Sequence, residues 1–262
     1  MSSVLLKAGC FLLIILMGYG LKKIGLLSQS DLPVFSKLVT KITLPAAIIH
    51  NFSQATMDVS MLVIVLIGFL CSGAYAVIGY GLFAKGTRDQ KVNASGYNIG
   101  CFTMPFVQGF LGAPGVACTS LFDTGNAVVC TGGSYAVAVS VAGKGGAGDK
   151  HQIRRIVIQL LKSIPFDCYV IMTALTMAGL RIPVFMDQVA ETVGNANTFL
   201  SMTMIGLGLE LHMTREQTGS VAKILGTRFA VSAVLAVLFY RFLPFSLEIR
   251  RTLAILMFGP VS

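Results

Sequence analysis

The sequence predicts an all-α polytopic membrane protein, on three observations. Of its 262 residues 55% are hydrophobic and 12% charged, with a mean hydropathy of +0.78. A soluble domain has about 25% charged residues. Apolar runs of about 20 residues recur along the chain, the length of a helix that crosses a bilayer; a membrane barrel shows short alternating segments instead. The net charge of +9 lies in short loops between these runs. That placement is a positive-inside bias and gives no reason to expect a nucleic-acid partner.

Taken in order, span 1 covers about residues 4–21 and is followed by Lys22 and Lys23. Its length and flanks are those of a first span, with no cleavable signal peptide evident. Span 2, about 32–52, starts amphipathic with Lys37 and Lys41 and contains Pro45. Span 3 is about 61–84, span 4 about 94–111 and span 5 about 115–141. A glycine-rich basic stretch, GKGGAGDKHQIRR, links them to span 6; lacking the GK[ST] ending of a phosphate loop, it reads as a flexible connection. Span 6 is about 156–180, interrupted by Lys162, Pro165 and Asp167. Span 7, about 184–211, is polar first and apolar later, and span 8 is about 222–243. Span 9 begins near Arg251 and is still running at Pro260. The six cysteines fall in or beside apolar runs without a CxxC pair and read as small apolar residues.

The stretch 93–126 organises the rest: NASGYNIGCFTMPFVQGFLGAPGVACTSLFDTGN. Pro105 lacks an N–H and its ring crowds the preceding turn, so the helix is expected to break near residues 101–105. Backbone groups freed inside a bilayer must find partners in protein or in a water-lined cavity. Asn98 lies about two turns before the proline. Asp123 and Asn126, three apart, share a face of the next span. A broken helix beside buried polar groups near mid-membrane is the pattern of a secondary-transporter substrate site. Asp123 either binds a proton or caps the broken helix by accepting from freed N–H groups, and Asn126 orients it.

Other polar residues carry plainer readings. Glu210 is an interfacial charge. Asp167 and Lys162 either satisfy each other or serve function, and His50 is a titratable or simply interfacial group. Asn195 and Asn197 face a cavity or a neighbouring helix, and GYNIG at 96–100 reads as a small-residue packing face.

Basic residues set the expected topology. Lys22, Lys23, Lys85, Arg88, Lys91, Lys144, Lys150, Arg154, Arg155, Arg215 and Lys223 fall on one side, against Lys7, Arg181, Arg241, Arg250 and Arg251 on the other. This places the N-terminus outside and the linker inside. A weak repeat is also visible: Gly20-Leu21-Lys22 with Asp31 resembles Gly179-Leu180-Arg181 with Asp187, and Pro105 pairs with Pro260. An odd number of spans per repeat inverts the second copy. The expected division is therefore a first repeat at 1–141, a cytoplasmic linker at 142–155 and an incomplete inverted repeat at 156–262. By that symmetry, about 40 further residues would complete span 9 and a span 10.

These motifs together resemble the auxin efflux carrier family, which includes bacterial malate and malonate permeases and plant auxin exporters. The likeness rests on GYGLKKIGLLSQSDLPVFSKLVTKITLPAAIIHNF near the start, NIGCFTMP in span 4, SLFDTGN in span 5, MIGLGLEL at the end of span 7 and FGP at 258–260. Gly259 beside the second proline departs from the family pattern. The resemblance implies ten helices in two inverted five-helix repeats. A scaffold of spans 1, 2, 6 and 7 would face a transport domain whose broken helices 4 and 9 cross near mid-membrane. It also implies substrate contact at Asn98, with Pro105 and Pro260 marking the breaks.

The expected function is secondary active transport of small organic anions, malate-like or auxin-like acids, by alternating access at the cell membrane. No cofactor is expected; a proton or other coupling ion and a homodimer are possible partners. The alternatives are a sodium-coupled carrier of the bile-acid or antiporter type and a non-transporting binding or sensory membrane protein. An intramembrane enzyme is disfavoured, since neither a GxGD or HExxH-like constellation nor clustered aspartates occur.

Overall fold

The computed structural model describes residues 2–56, 58–82, 96–141, 154, 157–210 and 215–260. The expected linker (Arg154 apart), the loop bearing Lys85, Arg88 and Lys91, and His212 lie outside the described residues.

Among the described residues the chain is helical, with no strand. The α-helices are α1 (Ser2–Lys23), α2 (Leu32–Leu38), α3 (Leu44–Ser53), α4 (Val63–Leu82), α5 (Met104–Val141), α6 (Ile164–Met177), α7 (Val184–Gly208), α8 (Arg215–Phe242) and α9 (Leu247–Leu256). Five stretches are long and apolar enough to cross a bilayer: Leu5–Lys23, Gln29–Ser53, Val59–Ile78, Ile99–Cys130 and Val221–Phe242. α6 is apolar but shorter, and α7 has the length but a polar first half. Leu5, Leu13, Val77, Phe229 and Val237 stand exposed on these helices, as lipid-facing side chains must. The protein is a polytopic helical membrane protein.

Glycines let the helices approach closely. Gly18 of α1 lies against the Thr203 backbone of α7, and Gly206 of α7 against Ile15 and Tyr19 of α1. Gly194 of α7 meets the Ala47 backbone of α3. On the other side, Gly68 of α4 faces the Phe122 backbone of α5, and Gly125 of α5 faces Val65 and Phe69. A methyl group at any of these positions would collide with main-chain atoms, so the seams depend on small residues. α3 packs on α6 and α7, while α9 packs on α5 and α8.

Proline acts differently from the sequence expectation. Pro45 and Pro105 each sit in the first turn of a helix, just after one wide i→i+5 turn: Val39–Thr43 before α3 and Ile99–Thr103 before α5. Widening the preceding turn accommodates a ring that cannot donate to the previous turn. The two wide turns, each followed by a threonine-x-proline step, pack on one another, with Gly100 close to the Leu44 side chain. The helix therefore does not break at residues 101–105. The non-helical residues are 96–98, just before the wide turn, where Gly96 takes φ +74° and Asn98 takes φ −84°, ψ 75°. GYNIG is accordingly an unwound segment running into the wide turn, and no helical packing face. α5 bends a second time at Gly112 (φ 61°, ψ −163°), two residues before Pro114. A half-helix ending at Leu111 thus precedes the long span that carries Asp123 and Asn126.

Candidate functional site

The unwound segment is surrounded by the deepest core. Tyr97 is buried edge-on between Tyr75 and Phe122, with ring centroids 5.3 Å apart on each side. Its backbone is not helical, so its peptide groups need partners from elsewhere. Asn126 supplies both. The Tyr97 N–H donates to Asn126 Oδ1 at 3.0 Å, and Asn126 Nδ2 donates to the Tyr97 carbonyl at 2.9 Å. Ser72 of α4 donates to the same Oδ1 at 2.8 Å.

One residue further on, the Asn98 N–H donates to the Pro260 carbonyl at 2.8 Å. The two proline-marked segments expected from the sequence therefore meet. Thr103 donates to the Asn98 carbonyl through both N–H and Oγ1, at 3.3 Å each. Gly259 fits the junction because a Cβ there would stand 3.0 Å from Thr103 Oγ1 and 3.3 Å from the Tyr97 ring. Its departure from the family pattern thus has a steric reason. The Asn98 side chain is partly exposed and makes no hydrogen bond among the described residues. Beyond it, the first turn of the half-helix presents N–H groups without intrahelical acceptors, the partly positive end of a helix dipole. An apolar cavity of about 440 Å³, lined by Phe102, Phe106, Phe110, Ile255, Phe258 and Pro260, flanks this junction.

Asp123 accepts from Asn126 Nδ2 at 2.8 Å and from the Tyr169 hydroxyl of α6 at 2.9 Å. Asp123 does not cap the broken helix itself; Asn126 does so and also binds Asp123. Pro105 is buried in the first turn of α5 and does not line the apolar cavity. The remaining candidates separate clearly. Asn197 is buried and accepts from Thr43 at 3.0 Å, whereas exposed Asn195 borders a cavity shared with Lys7 and Gln108. His50 pairs with Asp187 at 2.9 Å. Glu210 accepts from Gln29 at 2.8 Å on the surface. Lys162 and Asp167 form no ion pair with each other.

Sequence reasoning missed Arg228. It lies in α8 at 7% exposure, with its guanidinium carbon 4.3 Å from the Tyr75 ring centre and 5.0 Å from that of Tyr97. It donates to the Gly259 carbonyl at 3.2 Å. The available signal was a lone cation inside an apolar span, which is costly in a bilayer and marks function by default. Tyr97 and Tyr169 gave no such signal, since a tyrosine in a membrane helix is commonplace.

An amide and a carboxylate stand where two helix ends meet inside a helical membrane bundle, a setting that suits a membrane transporter. The sequence profile of the membrane transport protein family matches residues 10–147, more than half of the chain. An uncharacterized transporter of Methanothermobacter thermautotrophicus is 24% identical over 251 residues, covering 91% of this chain and 80% of the relative. The chain belongs to the membrane transport protein family, that of the auxin efflux carriers.

Proposed function

We propose that the protein is a secondary active carrier of small organic anions, of the malate, malonate or auxin-like acid class. The observation that carries this reading is the Asn98–Pro260 contact, which joins the two proline-marked segments. An unsatisfied helix N-terminus beside a free amide suits a carboxylate, and an adjoining apolar cavity suits its carbon skeleton. In this reading Asn98 and the first-turn N–H groups hold the carboxylate, Asn126 keeps the break open, and Asp123 carries a coupling proton. Pro105 and Pro260 shape the backbone on either side.

The packing supports an inverted repeat. α1 lies on α7, and in the other half α6 lies on α3, as a two-fold relation of spans 1 and 6 and of spans 2 and 7 would place them. We take α1, α2, α3, α6 and α7 as a scaffold against which the remaining helices move to alternate access. The repeats correspond to 1–141 and 156–262. The basic-residue bias favours an N-terminus outside, and the cell membrane is the proposed location.

The test is uptake of radiolabelled malonate or malate into proteoliposomes under an imposed pH gradient or membrane potential. Saturable uptake exceeding that of protein-free vesicles is expected. Folded protein that moves neither these acids nor an indole carboxylate would favour the binding or sensory reading.

A further inference from the structure

Where a helix breaks inside a membrane, its C-terminal carbonyls are the negative end of its dipole, and they face a medium without water to bond them. Carriers commonly meet this need with a bound sodium ion held by such carbonyls. Here the end of α9 runs through Met257 to Gly259 and Pro260. Each of these three carbonyls has a protein donor. Ser232 Oγ bonds that of Met257, the Arg228 guanidinium bonds that of Gly259 at 3.2 Å, and the Asn98 N–H bonds that of Pro260 at 2.8 Å.

Only one of the three donors is a charged group. Arg228 is almost fully buried and lies over the rings of Tyr75 and Tyr97 at cation–π distances. Tyr75 is itself held: because Ser232 gives its proton to Met257, the Tyr75 hydroxyl donates either to Ser232 Oγ at 2.8 Å or to the Arg228 carbonyl at 3.2 Å. The same Tyr97 whose ring faces the cation is held by Asn126 at the break of the other helix. The guanidinium thus sits between the C-terminal end of α9, where it bonds the Gly259 carbonyl, and the non-helical 96–98 segment, where it faces the Tyr97 ring.

We propose that Arg228 is the resident cation of the crossover: by bonding the Gly259 carbonyl, its guanidinium takes the place of a coupling sodium ion at the C-terminal end of α9, so that the carrier needs none there. This rests on the carrier reading for the word coupling, while the local claim concerns only which cation satisfies the Gly259 carbonyl. Arg228 is accordingly a positioning residue, acting on substrate through the geometry of the Asn98–Pro260 junction. The proposal also bears on the sodium-coupled alternative, because a site filled by a side chain does not respond to the ion.

Thermal unfolding of the purified protein tests this, with sodium chloride compared with choline chloride at equal ionic strength. The wild-type midpoint is expected to be the same in both salts. Arg228→Lys, which retains the charge, should stay close to wild type. Arg228→Ala should lose about 5 °C or more, and should regain part of that loss with sodium or with millimolar methylguanidinium. A saturable sodium stabilisation of the wild type overturns the proposal. So does an Arg228→Ala midpoint equal to wild type, or a lowered midpoint that neither cation raises, which would make Arg228 a packing residue. If Arg228→Ala does not fold, Arg228→Gln replaces it, keeping a donor but no charge; wild-type stability there overturns the proposal, and failure of both leaves the wild-type sodium titration to decide. Absent uptake of dicarboxylates would sink the carrier reading and leave these stability results unchanged.

Discussion

Asn126 replaces a missing helical turn for Tyr97. Its one side-chain amide accepts from the Tyr97 N–H at 3.0 Å and donates to the Tyr97 carbonyl at 2.9 Å, from 29 residues away in the chain. Its Nδ2 also donates to Asp123 and its Oδ1 accepts from Ser72, so the amide ties α4 and α5 to one peptide.

Asn126→Ala strands a buried N–H, a buried carbonyl and one oxygen of Asp123 together. Each unsatisfied group costs about 1–3 kcal/mol. Thermal unfolding in detergent should therefore show Asn126→Ala among the most destabilised single variants, with Ser72→Ala much milder. Asn126→Asp keeps the acceptor, loses the donor and sets a second carboxyl beside Asp123, so it should not rescue. A midpoint for Asn126→Ala within a degree or two of wild type would contradict the clamp.

Asn98 and Pro105 should behave differently from each other. Asn98→Ala removes a side-chain amide with no partner among the described residues, so stability should hold while malonate binding weakens about tenfold or more. Pro105→Ala supplies an N–H only to the wide turn, seven residues from the unwound Asn98. It should tighten that turn and leave the break open, because Asn126 holds the break. The expected result is a well-folded Pro105→Ala protein with binding reduced less than in Asn98→Ala. Equal binding by Asn98→Ala and wild type would remove the junction as the substrate site.

Asp123 links α5 to α6 through Tyr169. If Asp123 carries the coupling proton, Asp123→Asn should abolish pH-gradient-driven uptake while keeping an acceptor for the Tyr169 hydroxyl and a folded protein. Tyr169→Phe should retain pH dependence and alter the rate. Unchanged pH dependence in Asp123→Asn would assign the carboxylate to structure.

Orientation is checked by labelling. In a background without native cysteines, a cysteine at Asp58 should react with an impermeant thiol reagent applied to intact cells, and one at Gly146 should be protected. The reverse pattern would overturn the proposed topology.

Much of the architecture follows from composition and period alone, because a bilayer admits few alternatives: apolar runs of about 20 residues become helices wherever they occur. Asn98, Asp123 and Asn126 were legible for the same reason, as polar groups in apolar surroundings that need partners. What one-dimensional reading could not supply was which partner each group finds. Pro105 pointed to a break, but its ring is accommodated by the wide Ile99–Thr103 turn, and the non-helical residues are Gly96–Asn98. That shift depends on Asn126, a residue distant in sequence, being there to bond Tyr97. The role of Arg228 is likewise set by long-range geometry, since the Gly259 carbonyl lies 31 residues away and the Tyr75 and Tyr97 rings come from other segments. Local chemistry determined that these polar groups must be satisfied; only the packing of distant helices decided by what, because inside a membrane the partner must be another part of the protein.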